Sequence, residues 1–138
     1  MHWLIWVLIS LVFYGMMPPL VKSAMKEIPS YVAATVTNAI LCSLAFIVTK
    51  IQGYSFTENL SLNQPSLILY AAGGVLAVAI ISYYKALEMG PISSVVPIFG
   101  MHIALSSVIG FIVLKESITP TKGLGLLFAV LAVILISR

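Results

Sequence analysis

Charge is scarce in this 138-residue chain. Only 8% of its residues are Asp, Glu, Lys or Arg, against 61% that are hydrophobic. An ordinary soluble domain carries about 25% charged residues, so this composition cannot cover a water-facing surface of the usual kind. There is one cysteine, Cys42, inside an apolar run, which excludes an internal disulfide framework and a cysteine-based metal cluster. The opening stretch MHWLIWVLISLVFYG has no basic segment before its apolar residues and no A-x-A-like cleavage site, so it reads as a retained span rather than a signal peptide. No basic patch is present. The net charge of +3 comes from scattered lysines, and nucleic-acid binding is not supported.

What the chain does have is long apolar runs. A helix needs about 20 residues to cross roughly 30 Å of hydrocarbon, and the charges fall between segments of about that length. Lys22, Lys26 and Glu27, then Lys50 and Glu58, then Lys85 and Glu88, then Lys115, Glu116 and Lys122, and finally Arg138 punctuate five spans. These are placed at Trp3 to Val21, Tyr31 to Thr49, Ser66 to Leu87, Ile92 to Leu114 and Pro120 to Ser137. Backbone groups in lipid must be satisfied internally, so the runs are helices and the protein is an all-α integral membrane protein of one domain, 1–138. Each gap puts proline where a helix begins, at Pro29, Pro65, Pro91 and Pro120, because the first turn does not use that N–H. Thr119 is placed to cap the last helix.

At about 100° per residue, Tyr31, Thr35, Asn38, Cys42, Ala45 and Thr49 share a face of the second helix. Ser66, Tyr70, Gly73, Ala77, Ile80 and Tyr84 share one on the third, and Trp3, Trp6, Ser10, Phe13, Tyr14 and Met17 one on the first. Polar atoms avoid lipid, so these stripes are expected to face protein or a cavity. Ser10, Tyr14, Asn38, Tyr70 and Tyr84 are the candidates for lining a substrate pathway, although hydrogen bonding between helices explains each equally well. Pro97 removes a helical hydrogen bond and can bend the fourth span. His102, near that span's middle, titrates near neutral pH; it is either a coupling group or a neutral histidine bonded to a neighbouring helix. Lys85 reads as an interfacial anchor beside Glu88. No acidic partner lies in the apolar run around His102, so an intramembrane enzyme is not expected, and neither a metal nor another cofactor is implied.

With an odd number of spans the termini lie on opposite sides. Lys50, Lys115 and Lys122 then face Lys22, Lys26, Lys85 and Arg138, three basic residues against four. The excess of Lys and Arg that normally sets orientation is missing, and insertion in both directions becomes possible.

The stretch YYKALEMGPISSVVPIFG, followed by VIGFIVLKESITPTKGLGLLFAVLAVILIS, resembles the latter part of an EamA-type half of the drug/metabolite transporter superfamily. The corresponding features are Gly90-Pro91 after the third helix, Pro97 early in the fourth, Glu116 at its end, and Gly123 with Gly125 in the fifth. FYGMMPPLVKSAMKEIPSY is similar to the front of the same repeat, with Tyr14-Gly15 where Trp-Gly is common. The resemblance implies a secondary transporter of small metabolites in the cell membrane. Many relatives carry an arginine near Thr37 or Asn38, and this chain has none. Typical members have ten helices in two inverted five-helix repeats, so the resemblance implies that this chain pairs, as an antiparallel homodimer or with a second repeat of opposite orientation. The small multidrug exporters of the superfamily use a glutamate in the first helix, but Met1 to Val21 contains no carboxylate. A neutral or zwitterionic metabolite suits the tyrosine, asparagine and serine stripes better than a lipophilic cation. The alternative is a non-transporting scaffold or a partner subunit of a heteromeric complex.

Overall fold

The computed structural model describes residues 2–56, 60, 63–113, 115, 117 and 119–136. Six helices and no strand occur among them. They are α1 His2–Ala24, α2 Ser30–Ile51, α3 Gln64–Met89, α4 Ile92–Gly100, α5 His102–Val113 and α6 Pro120–Ile136. Four segments are long and apolar enough to cross a membrane: α1, α2, α3, and α4 with α5 together. The fifth apolar helix, α6, spans 17 described residues, about 26 Å at 1.5 Å per residue. The ends expected at Leu114 and Ser137, like Glu116, lie outside the described residues.

The helix ends follow local chemistry. Pro29 and Pro91 occupy the N-cap positions of α2 and α4, and Pro120 opens α6. Thr119 Oγ1 accepts the Lys122 N–H at 3.3 Å, the cap expected of it. Asn63 Oδ1 does the same for Ser66 N–H at 3.0 Å, at the start of α3. At the C-terminal end of α2, Gly53 takes φ +78°, its N–H bonds Lys50 O at 3.0 Å, and Tyr54 N–H reaches Thr49 O at 3.2 Å. That pair of bonds is a Schellman cap, and the left-handed residue at its centre favours glycine.

The fourth span departs from expectation. It was read as one helix over 92–114, with Pro97 its point of weakness, yet Pro97 sits inside α4 and the break falls at Met101. There the Met101 N–H bonds Ile98 O, three residues back, at 3.1 Å. The imidazole of His102 bonds Phe99 O through Nδ1 at 2.7 Å, so a side chain takes up backbone bonding capacity at the break.

The chain forms two compact units, residues 19–88 and residues 1–18 with 89–138. The division falls within α1 between Pro18 and Pro19, two residues that cannot donate to the carbonyls of Tyr14 and Gly15. In the second of these units, α4 packs on both α5 and α6, and α5 also meets α6. In the unit 19–88, the buried side chains Val21, Ser30, Ala33, Ala34, Tyr83, Tyr84 and Leu87 come from the end of α1, the start of α2 and the end of α3, and Ser66 is buried apart from them at the start of α3. The core therefore sits at one end of this unit. Elsewhere the large apolar side chains point outward, and only 11% of the most hydrophobic window of each of the first three spans is buried. Such faces require lipid or another chain against them.

Candidate functional site

The core end of the 19–88 unit is tied by polar groups from three helices. Lys22 Nζ, at the end of α1, donates to the carbonyls of Leu87 and Glu88 in the last turn of α3, where helix carbonyls lack intrahelical partners. The carboxylate of Glu88 in turn serves the start of α2. Its Oε1 accepts Ser30 N–H at 3.4 Å and its Oε2 accepts the Ser30 hydroxyl at 3.1 Å. Pro29 has no side-chain oxygen to cap α2, so Glu88 supplies one from 58 residues away. Lys85 completes the group, paired with Glu88 at 2.5 Å and lying 5.7 Å from the centre of the Tyr31 ring.

Above this clasp α2 and α3 are bridged by one hydroxyl pair. Thr37 Oγ1 bonds Ala33 O at 3.0 Å, and Tyr84 O–H meets Thr37 Oγ1 at 2.7 Å. With the Thr37 proton given to its own helix, the tyrosine is the donor. Farther along, α2 and α3 leave a cleft of about 490 Å³. One wall is Tyr31, Ala34, Thr35, Asn38, Leu41 and Cys42; the other is Gly73, Leu76, Ala77, Ile80 and Ile81. The small residues Gly73 and Ala77 open the space, since nothing lies within 4 Å of where a Gly73 Cβ would be. The polar groups on the α2 wall are partly engaged. Thr35 Oγ1 donates to Tyr31 O at 2.8 Å and Asn38 Nδ2 donates to Ala34 O at 2.8 Å, as hydroxyls and amides do where no water is present. Each keeps acceptor capacity, the Thr35 oxygen and Asn38 Oδ1.

Of the residues singled out from the sequence, Asn38 lines this cleft. Tyr84 does not; it is 2% exposed and its hydroxyl serves Thr37. Tyr70 is exposed on α3, one turn before Gly73. Ser10 and Tyr14 are exposed on the α1 segment of the other unit. There too stand half-buried Pro97 and exposed His102, whose ring lies 4.7 Å from that of Phe99. Thr35 and Cys42 were not singled out as site residues, although the stripe Tyr31, Thr35, Asn38, Cys42 already marked them. Among the described residues no group of three or more His, Cys, Asp or Glu is placed to hold a metal ion.

Apolar helices of spanning length, hydroxyls bonded back to their own helices and a cleft walled by small residues define a multi-pass integral membrane protein. The EamA-like transporter family matches residues 1–138, and the chain belongs to that family. It is a membrane transporter of the drug/metabolite type, with a single EamA domain, and not an enzyme. The chain is 24% identical over 136 residues to a Sinorhizobium sp. protein named "Uncharacterized transporter in cobO 3'region", covering 98% of this chain and 96% of that one. No solved structure matches significantly.

Proposed function

We propose that the chain is a half-size secondary transporter of the cell membrane, in which two copies inserted in opposite orientations enclose a pathway for a small neutral or zwitterionic metabolite. The observation that carries this reading is the α2–α3 cleft, about 490 Å³, the size of a small-molecule site. Two further features support the pairing. The basic residues divide three against four between the two sides, and the exposed apolar faces of the first three spans need a partner or lipid.

In the pair, Asn38 and Tyr70 contribute polar tips from the 19–88 unit, where Tyr84 supports the cleft from behind through Thr37; Ser10 and Tyr14 are the candidates that the other unit offers. Pro97 and the break at Met101 give the fourth span the joint that alternating access requires. His102 is the proton-handling candidate. A carbonyl can only accept, so His102 Nδ1–H donates to Phe99 O.

The purified chain alone, reconstituted in liposomes, should show saturable counterflow of at least one labelled solute from a panel of neutral amino acids and nucleosides. Absence of counterflow for every member would contradict the proposal, and flux restored only by a second family member would replace the homodimer with a heteromer.

A further inference from the structure

The polar groups of the cleft carry more than its size. Neither wall contains an acidic or basic residue that is charged at neutral pH. The Lys85 ammonium, 5.7 Å from the centre of the Tyr31 ring on the α2 wall, is already paired with Glu88 at 2.5 Å. A ligand bearing a full charge would therefore enter an apolar slot with no counter-charge, which costs several kcal/mol. What α2 does offer is the Tyr31 hydroxyl, which can donate or accept, and beyond it acceptor capacity. The Thr35 hydroxyl has spent its only proton on Tyr31 O, leaving lone pairs, and Asn38, its Nδ2 turned to Ala34 O, keeps Oδ1 and one N–H. The α3 wall opposite, Gly73, Leu76, Ala77, Ile80 and Ile81, offers only apolar surface.

Resting on the reading of this cleft as the substrate site, we propose that its ligand is an uncharged amphipathic molecule: an apolar body that lies on α3, with an N–H or O–H group donating to Thr35 Oγ1 and Asn38 Oδ1. This narrows the proposed substrate class to its uncharged members; zwitterions, free amino acids included, are excluded from the cleft together with anions and cations. The selection is made by the absence of charge on both walls together with the direction in which two side chains have committed their protons.

The chain carries its own reporter. Cys42 is its single cysteine, is exposed, and belongs to the same wall, one turn beyond Asn38. The test follows N-ethylmaleimide labelling of Cys42 in the full chain, in lipid nanodiscs, against four probes that share an indole body. N-acetyl-tryptophanamide is neutral and carries donors; N-acetyl-tryptophan is an anion, tryptamine a cation and tryptophan a zwitterion. The neutral amide should slow labelling at least fivefold at saturation, and the three charged probes should have no such effect at equal concentration. Thr35→Val with Asn38→Leu should abolish the protection while leaving the unprotected rate within about twofold. Ala77→Phe fills the slot from the opposite helix, leaves both hydrogen-bonding side chains in place, and should abolish protection as well. Protection by the charged probes equal to that by the amide would overturn the proposal. So would no protection by the amide, or a Cys42 that resists labelling without ligand because a protein segment fills the cleft. Labelling requires no flux, so protection in a preparation that transports nothing would uphold the binding site and count against the transport reading alone.

Discussion

At the residue scale, three positions set the behaviour of the 19–88 unit. The hydroxyl of Tyr84 reaches Thr37 from a position 2% exposed, so Tyr84→Phe should remove one bond while keeping the ring and its packing. Hydrogen bonds between membrane helices are worth about 0.6 kcal/mol on average, and the unfolding free energy measured by denaturant titration in mixed micelles should fall by about that much. Thr37 still bonds its own helix through Ala33 O, so nothing buried is orphaned and a loss of several kcal/mol would mean another role for this tyrosine. Gly53 is the second position. It holds φ +78° with open space around it, so Gly53→Ala should cost about 1 kcal/mol from backbone conformation alone. The third is Glu88, which joins Ser30 and Lys85. Glu88→Ala should lower thermal stability more than Lys85→Ala, since only the former uncaps the start of α2. Thr119 was legible in the sequence because a cap depends on residues within one turn. Glu88 as the cap of Ser30 was not, because a contact across 58 residues leaves no local pattern.

At the scale of the helices, apolar runs between charges marked the expected spans, and proline marked their expected starts. α3 extends to Gln64–Met89 where 66–87 was expected, and α2 to Ser30–Ile51 where 31–49 was expected. The extra turns form because Asn63 and the Lys22 ammonium satisfy end groups that an unaided helix would leave open. Lys22→Met should therefore fray the end of α3, seen as faster amide exchange at Glu88 and Met89 with no change at its middle. The break at Met101 escaped sequence reasoning for a related reason. Pro97 was the visible helix breaker, yet helices in membranes tolerate proline when neighbouring groups re-satisfy the backbone. The joint falls instead where His102 bonds Phe99 O. The face of α2 carrying Tyr31, Thr35, Asn38 and Cys42 was legible from the 3.6-residue repeat. The Tyr84 hydroxyl shows the complement, since a residue on the predicted inner stripe is spent holding two helices together.

At the scale of the whole molecule, the proposed pairing would supply the second repeat that an enclosed pathway needs. His102 belongs at this scale because coupling is a property of the working transporter. His102→Gln should remove the pH dependence of transport while leaving folding intact. An unchanged pH profile in that variant would remove His102 from any coupling role. The measurement that bears most directly on the central claim is orientation. Single cysteines placed at Ser61 and at Thr121 in a Cys42→Ala chain, in intact cells, would be challenged with a membrane-impermeant thiol reagent. An inverted homodimer predicts that each position is labelled partly from outside and partly only after permeabilisation. Labelling of both positions wholly from one side would show a fixed orientation and contradict the inverted homodimer.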